Sequence, residues 1–101
     1  MTTNPQAPPR ATKIYKYTLI VADEQVVDLP AGARLLDVQD QHGQPRLWAI
    51  VDPGARLVER KLAMRGTGHD ATGLEDAPHV GTFQMRDGLL VFHVFDLGEK
   101  P

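Results

Sequence analysis

The chain has 101 residues, 42% hydrophobic and 24% charged, with a formal net charge of −2 and a pI near 6.0, so it has room for one domain around one core. The mildly acidic balance disfavours binding to nucleic acid or to an anionic membrane, and the absence of cysteine excludes a disulfide framework, a thiolate nucleophile and a thiolate zinc site. Since no apolar run approaches the roughly 20 residues that span a bilayer, and the N-terminus lacks the apolar core of a signal peptide, we expect a soluble cytoplasmic protein.

The N-terminal segment differs in composition from the rest of the chain. Met1–Thr12 contains three prolines among small polar residues, which is typical of a disordered tail, because such a segment buries too little apolar surface to offset the entropy of ordering. From Lys13 onward polar and apolar residues alternate, and this predicts a half-buried strand. Asp23-Glu24 predicts a turn and residues 26–29 a return strand, so we expect these two strands to form a hairpin.

Turn residues then divide the middle of the chain. The Pro-Ala-Gly-Ala turn at 30–33 introduces a strand over 34–41, in which Leu36 and Val38 share one face and Leu35 has the other.

After a Gly-Pro turn at 42–45, residues 47–51 are apolar on both parities. This predicts a central strand covered on both faces, which Asp52-Pro53-Gly54 ends.

Residues 57–65 fit neither periodicity cleanly. With a period of two, Val58, Leu62 and Met64 face inward with Arg60 among them. With the helical period of 3.6, the apolar stripe also includes a charged residue. We predict a strand, because the neighbouring segments are strands. The alternative of a helix remains open from the pattern alone.

The second half of the chain contains its longest connection, residues 66–78, and connections of this length are usually functional or mobile. Strands over 79–85 and 89–97 then flank an Asp-Gly hairpin signal at 87–88. About seven short strands predict an all-β fold, a small antiparallel β-sandwich or barrel over 13–97, followed by a short tail at 98–101.

Two predicted strands, around Trp48 and over 91–95, are apolar on both faces. Since exposed apolar area usually marks an interface, we expect a homo-oligomer whose contacts include Tyr15, Tyr17, Trp48 and Phe92. The tyrosines and Trp48 also have the composition of a stacking platform for single-stranded nucleic acid. The acidic net charge favours core packing and an interface instead.

The stretch Arg65-Gly66-Thr67-Gly68-His69, at the start of the long connection, is the candidate ligand site. Glycines let backbone N–H groups approach an anion, Arg65 can pair with it in a bidentate manner, and Thr67 and His69 can donate further hydrogen bonds. The alternative is a glycine-rich turn between strands. The spacing matches neither the phosphate loop nor the dinucleotide fingerprint.

Metal and nucleophilic chemistry are both disfavoured by the sequence. Four histidines invite a metal hypothesis, but no two have a close ligand spacing, and we predict neither a metal nor a cofactor. His93 is expected to be hydrogen-bonded inside the core. The chain has no serine, and threonine nucleophiles such as Thr67 or Thr82 typically rely on a free N-terminal amine. The histidines are His42, His69, His79 and His93.

Acid–base chemistry is the remaining catalytic possibility. It would use His69 with Asp70 or Glu75, although adjacent residues do not define a geometry.

Several of these segments resemble an uncharacterised family of short phage- and prophage-encoded proteins. The resemblance runs in order from Lys13 to Asp96 and implies no activity, cofactor or catalytic residue. It implies a context, because accessory viral proteins of this size commonly bind host factors or host signals. The segments are Lys13-Ile14-Tyr15-Lys16-Tyr17, Leu29-Pro30-Ala31-Gly32-Ala33, Val38-Gln39, Leu47-Trp48-Ala49-Ile50-Val51-Asp52-Pro53, Gly66-Thr67-Gly68-His69, His79-Val80-Gly81-Thr82-Phe83 and Val91-Phe92-His93-Val94-Phe95.

The function predicted from these observations is that of a non-enzymatic accessory binding protein in the host cytoplasm. It would hold a small anionic, nucleotide-like ligand or a host protein, with counter-defence as the purpose. One alternative is a structural virion or assembly component that acts through subunit contacts. A second is a small histidine-dependent hydrolase or isomerase.

Overall fold

The structure is a computed structural model that describes residues 11–101. The disordered tail predicted for Met1–Thr12 lies outside the described residues, apart from the exposed Ala11 and Thr12. No helix among the described residues is long and apolar enough to cross a bilayer. The strands are β1 (Lys13–Thr18), β2 (Glu24–Pro30), β3 (Arg34–Gln41), β4 (Gln44–Val51), β5 (Leu57–Gly66), β6 (His79–Met85) and β7 (Leu90–Glu99).

The strands form two antiparallel sheets, which confirms the predicted all-β class. Sheet A has the order β1-β4-β3 and sheet B the order β2-β5-β7-β6. The segment of ambiguous periodicity, 57–65, is a strand inside sheet B. The two doubly apolar segments are interior strands, β4 in sheet A and β7 in sheet B. The last strand is longer than predicted, because β7 continues through Gly98 and Glu99.

The core lies between the sheets and is formed by alternate residues of their strands. On β4 every second residue is buried, as the pleat requires. Burying one large apolar side chain contributes about 2 kcal/mol, and this burial is the main term that offsets the entropy of ordering the chain. The largest fully buried side chains are Phe83, Leu19, Leu29, Leu47, Leu62, Val38, Val51 and Val94.

The edge strands β3 and β6 approach each other closely at Gly81. A Cβ at this position would lie 2.5 Å from Asp37 Oδ1 and 3.2 Å from the backbone nitrogen of Val38. The same Asp37 oxygen accepts a hydrogen bond from the Val38 N–H at 2.8 Å. Glycine is therefore the residue that lets the two sheets meet, and this side of the sandwich is closed.

The predicted hairpin of β1 and β2 is wrong, because the two strands belong to different sheets. β1 pairs with β4, and β2 pairs with β5. Leu19, directly after β1, is fully buried in the core. Its N–H donates to the Pro45 carbonyl at 3.0 Å, and its carbonyl accepts from Gln44 Nε2 at 2.7 Å. The chain is thus held at the end of sheet A before it crosses to sheet B.

A bulge in β3 changes the faces predicted for its leucines. The register with β4 shifts between Leu35 and Asp37, so that Leu35 and Val38 both lie opposite buried residues of β4 and face the core. Strict alternation instead places Leu36 on the face of Val38. The extra residue of a bulge reverses the alternation, which a pattern of period two cannot anticipate.

An ion pair closes the core near the β2–β3 turn. Arg60 faces inward from β5, as predicted, and its Nε and Nη2 donate to the two carboxylate oxygens of Asp96 at 2.9 and 2.6 Å. Its Nη1 donates to the Ala33 carbonyl at 2.9 Å. Burial works to raise the pKa of Asp96, but hydrogen bonds from Arg60 and the Gly98 N–H, with the charge of Arg60, hold this pKa below its ordinary value.

The longest connection, residues 67–78, passes over the outer face of sheet B, and we call it the crossover. β5 and β6 lie on opposite sides of β7, and the inner face is filled by the core. Ala63 and Leu74 are buried although neither belongs to the core cluster. Since Ala63 alternates with the inward-facing Leu62 and Met64, it faces outward. The crossover therefore covers this part of the outer face.

Candidate functional site

The Gly-Thr-Gly-His segment is the turn that begins the crossover. The His69 N–H donates to the Gly66 carbonyl at 3.0 Å, which closes a β-turn. Gly68 has a φ of +90°, a conformation that favours glycine. A Cβ at Gly66 would lie 3.1 Å from Cε1 of His69, so the absence of a side chain lets the imidazole lie against the backbone. Both glycines thus have structural reasons to be present.

Arg65, predicted to pair with an anionic ligand, is bonded within the protein. Its Nε donates to the Asp70 carbonyl at 3.0 Å. Its Nη1 donates to the carbonyls of Asp23 at 2.6 Å and Met64 at 3.1 Å, and its Nη2 lies 3.9 Å from a carboxylate oxygen of Glu24. A bidentate bond to a ligand would require several of these contacts to break. Arg65 therefore fastens the crossover to the start of β2.

Two adjoining recesses open beside this turn, at the end of the sandwich where β5 ends and β7 begins. Their volumes are about 380 Å³ and about 150 Å³, and they share Gly66, His69 and Phe92. We call the two recesses together the end groove. The larger recess is completed by Thr67, Leu89, Leu90 and Val91. The smaller is completed by Val21, Ala22, Asp23 and Met64.

The end groove is apolar at its rim, and its lining includes an acidic residue but no lysine or arginine. Val21, Leu89 and Leu90 are 54%, 83% and 38% exposed. Among the described residues that line the groove, Asp23 is the one charged group, and it would repel an anion. His69, the predicted ligand residue, supplies an imidazole. Sequence reasoning missed the rest of this site, because it depends on three separate connections meeting at one end of the sandwich.

A chain of alternating threonine and histidine side chains crosses the outer face of sheet B, and we call it the Thr-His chain. Thr67 Oγ1 lies 2.7 Å from His93 Nε2. His93 Nδ1 lies 2.9 Å from Thr82 Oγ1, which is 3.0 Å from His79 Nε2. The Thr67 N–H donates to the Val91 carbonyl at 3.0 Å. The Thr-His chain thus joins the crossover, β7 and β6.

The position predicted for His93, inside the core, is wrong. The next residue, Val94, is fully buried in the core, so the pleat turns His93 to the outer face. Thr82 lies directly opposite His93 in the β6–β7 register. This pairing follows from counting back from the Asp-Gly turn, so the sequence carried a signal for it. The contact with Thr67 depends on the sheet order and has no such signal.

The Thr-His chain has part of the equipment of a hydrolase. A hydroxyl beside an imidazole, as in Thr67 and His93, matches a nucleophile and its base. Behind His93, however, stands the hydroxyl of Thr82, where a carboxylate would stabilise an imidazolium. A neutral imidazole has one donor and one acceptor nitrogen, so His93 donates to one of its two threonine hydroxyls and accepts from the other. The arrangement fastens the crossover to the sheet.

The carboxylates predicted as acid–base partners of His69 are bonded to their own loop. Asp70 Oδ1 accepts from the N–H and the hydroxyl of Thr72 at 2.9 and 2.6 Å. The hydroxyl bond foremost, and then the N–H bond, lower the pKa of Asp70. Glu75 accepts from the Gly73 N–H at 2.8 Å. These contacts leave the His69 ring facing the end groove without a carboxylate from the crossover.

The remaining histidines are dispersed. His42 occupies the β3–β4 turn with a φ of 57°, whereas His79 and His93 belong to the Thr-His chain. Within residues 11–101, no three histidine, aspartate or glutamate side chains are arranged to hold a metal ion.

The residues predicted to form a subunit interface do not share one surface. Tyr15 and Tyr17 lie on the core side of β1, with ring centroids 6.5 Å apart. Trp48 lies opposite Lys16 on the outer face of sheet A. Phe92 lines the end groove. Because the tyrosines and Trp48 lie on opposite faces of sheet A, they cannot form a single stacking platform.

A family model described as a domain of unknown function, DUF7352, matches residues 10–101. The match includes all seven strands, the end groove and the Thr-His chain. No curated protein and no solved structure gives a significant match. The family match carries no ligand and no genomic source, so the phage origin stays a prediction.

Proposed function

The chain belongs to the DUF7352 family, and we propose that it is a non-enzymatic binding protein that holds an apolar side chain of a partner protein in the end groove. The observation that carries this proposal is the groove itself. Its larger recess, of about 380 Å³, lies within the range of sites that enclose a ligand group. Its rim of exposed Leu89, Leu90 and Val21 provides apolar area that a partner would bury.

The setting of this function is inferred from the resemblance to phage- and prophage-encoded proteins. On that basis the partner is a host protein in the cytoplasm, and binding it serves counter-defence. A small anionic, nucleotide-like ligand is the less favoured form of the proposal. Arg65 already donates to three backbone carbonyls, and the charged residue that lines the groove, Asp23, is acidic.

A thermal-shift panel tests the proposal. The probes are blocked Gly-Ser peptides that carry a single leucine, phenylalanine or tryptophan, together with AMP and cyclic AMP. We expect an apolar peptide at tenfold excess over its Kd to stabilise the protein by about 1.4 kcal/mol. Leu89→Asp should abolish this effect. Leu97→Asp is the matched control, because Leu97 is also exposed, at 36%, but does not line the groove.

Two results of the panel would overturn the proposal. One is stabilisation by a nucleotide that Arg65→Ala removes, with no response to any apolar peptide. The other is a response to apolar peptides that Leu89→Asp leaves unchanged.

A structural or assembly role is favoured by a different observation. Among residues 11–101, five of the nine exposed large hydrophobic residues lie between residues 14 and 26, on and after β1. Ile14 and Tyr15 belong to the edge strand β1, and exposed apolar area on an edge strand is typical of a contact surface. A hydrolase or isomerase has the least support, because the Thr-His chain contains no carboxylate. The five residues are Ile14, Tyr15, Ile20, Val21 and Val26.

A further inference from the structure

Among the four edge strands of the described residues, β1 has the edge best suited to pairing with another chain. The edges of β3 and β6 lie against each other at Gly81. On β2 the carboxylate of Asp28 is exposed, and a charge on an edge strand opposes pairing. β1 pairs with β4 on one side and with no described strand on the other. Its Ile14 and Tyr15 are 63% and 39% exposed.

The lysine in the middle of β1 is held away from this edge. Natural edge strands often use lysine to block pairing with another chain. Lys16 Nζ, however, donates to Gln41 Oε1 on β3 at 2.7 Å. Because β4 lies between β1 and β3, the Lys16 side chain extends across sheet A. Its charge is therefore directed toward β3 and away from the edge, and it does not block pairing there.

We propose that two copies of the chain associate edge to edge through β1, antiparallel and about a two-fold axis, so that two copies of sheet A form one six-stranded sheet. Directly opposed residues of an antiparallel pair share a face. A two-fold axis between the edges therefore pairs residues of the same parity. Two such registers pair five residues of each β1, with either Tyr15 or Lys16 on the axis.

The side chains favour the register with Tyr15 on the axis. It places Tyr15 against its own copy, Ile14 against the aliphatic stem of Lys16, and Lys13 against the ring of Tyr17, where a cation and an aromatic face attract. The other register places two Lys16 side chains next to each other and leaves Ile14 opposite a threonine. The tyrosines of both copies then form one continuous row on the core side.

The dimer is independent of the function proposed for the end groove. Antiparallel strands direct the two grooves to opposite ends of the dimer, so pairing leaves both open. An interface made by one short strand from each copy is small and of the transient class. We therefore expect a dissociation constant on the order of 10 to 100 µM.

Cysteine scanning reads the register directly, because the natural chain has no cysteine. Each of Ile14, Tyr15, Lys16 and Val26 is replaced by cysteine, and the variants are oxidised and separated without reducing agent. We expect Tyr15→Cys to cross-link to itself, and Ile14→Cys to cross-link to Lys16→Cys when the two are mixed. Val26→Cys, at an exposed position of the β2 edge, is the matched control and should not cross-link to itself.

Light scattering of the natural chain should show concentration-dependent dimers. Tyr15→Lys should remove them and Val26→Lys should not, with circular dichroism to confirm that both variants fold. A monomer at all concentrations up to about 1 mM would overturn the proposal. So would self-cross-linking at Ile14 or Lys16 in place of Tyr15, a Tyr15→Lys dimer, or preferential cross-linking of Tyr15→Cys to Val26→Cys, which would indicate pairing of β1 with β2.

Discussion

Replacing Asp96 by asparagine tests the role of the inward-facing ion pair. The side chains of Arg60 and Asp96 are only 12% and 15% exposed and share two hydrogen bonds of 2.6 and 2.9 Å. Removing one partner of a buried pair costs about 3–5 kcal/mol, because the remaining charge is left uncompensated. Asparagine keeps one acceptor, so we expect about 3 kcal/mol, and a melting temperature lower by about 12–24 °C. The assay is urea and thermal denaturation at neutral pH.

The exposed pair of Glu59 and Lys100 provides the matched control. These side chains are 56% and 49% exposed and 3.4 Å apart. Glu59→Gln should cost no more than about 0.5 kcal/mol, because solvent screens an exposed pair. If Asp96→Asn were as mild as Glu59→Gln, the ion pair would not stabilise the end of the core as described.

The pH dependence of the same variant supplies a second test. The folded-state pKa of Asp96 lies below its ordinary value, so the ionised form adds stability above that value, about 3.9. This stability is lost as the pH falls through the folded-state pKa. The difference in free energy of unfolding between the natural chain and Asp96→Asn should be constant above about pH 5 and shrink below about pH 4. A difference that is unchanged at pH 3 would refute the reasoning.

Three further changes test the packing around the candidate site by urea denaturation. Gly81→Ala should cost about 2–3 kcal/mol, because the new Cβ would lie 2.5 Å from Asp37 Oδ1 and 3.2 Å from the backbone nitrogen of Val38; a neutral effect would mean that the strands can separate freely. Arg65→Lys should cost about 1–2 kcal/mol, because an ammonium cannot reach all three carbonyls, while apolar peptides still bind; loss of their binding would contradict a purely fastening role. In a double-mutant cycle, Thr82→Val and His93→Gln should show a coupling energy of about 0.5–1 kcal/mol. Strictly additive effects would contradict the hydrogen bond between Thr82 and His93 in the Thr-His chain.

Local signals in the sequence were sufficient for the strands and for some of their faces. The Asp-Gly turn predicts the β6–β7 hairpin, and counting from it places Thr82 opposite His93. The alternation of β5 predicts that Arg60 faces inward, although the pattern gives no reason for it. The reason is Asp96, which lies on a neighbouring strand 36 residues away. The sequence therefore predicts an orientation more readily than the partner that makes it possible.

Features that depend on the arrangement of the sheets could not be predicted in this way. The turn at Asp23-Glu24 favours a local hairpin, but β1 and β2 each find a better partner elsewhere in the chain. The bonding of Arg65 to the Asp23 carbonyl depends on β2 pairing with β5. Likewise, the end groove forms because Val21, His69 and Leu89 reach the same end of the sandwich. None of these contacts between distant segments can be derived from the spacing of residues in the sequence.

The central claim is that the end groove binds an apolar side chain, and an NMR titration of the isotope-labelled chain tests it most directly. The blocked leucine peptide is added, and then AMP in a separate sample. We predict that the peptide shifts the amide signals of Gly66, His69 and Phe92 and leaves those of β1 unchanged, while AMP shifts none of them. Shifts caused by AMP around Arg65 and His69, with none caused by the peptide, would contradict the claim.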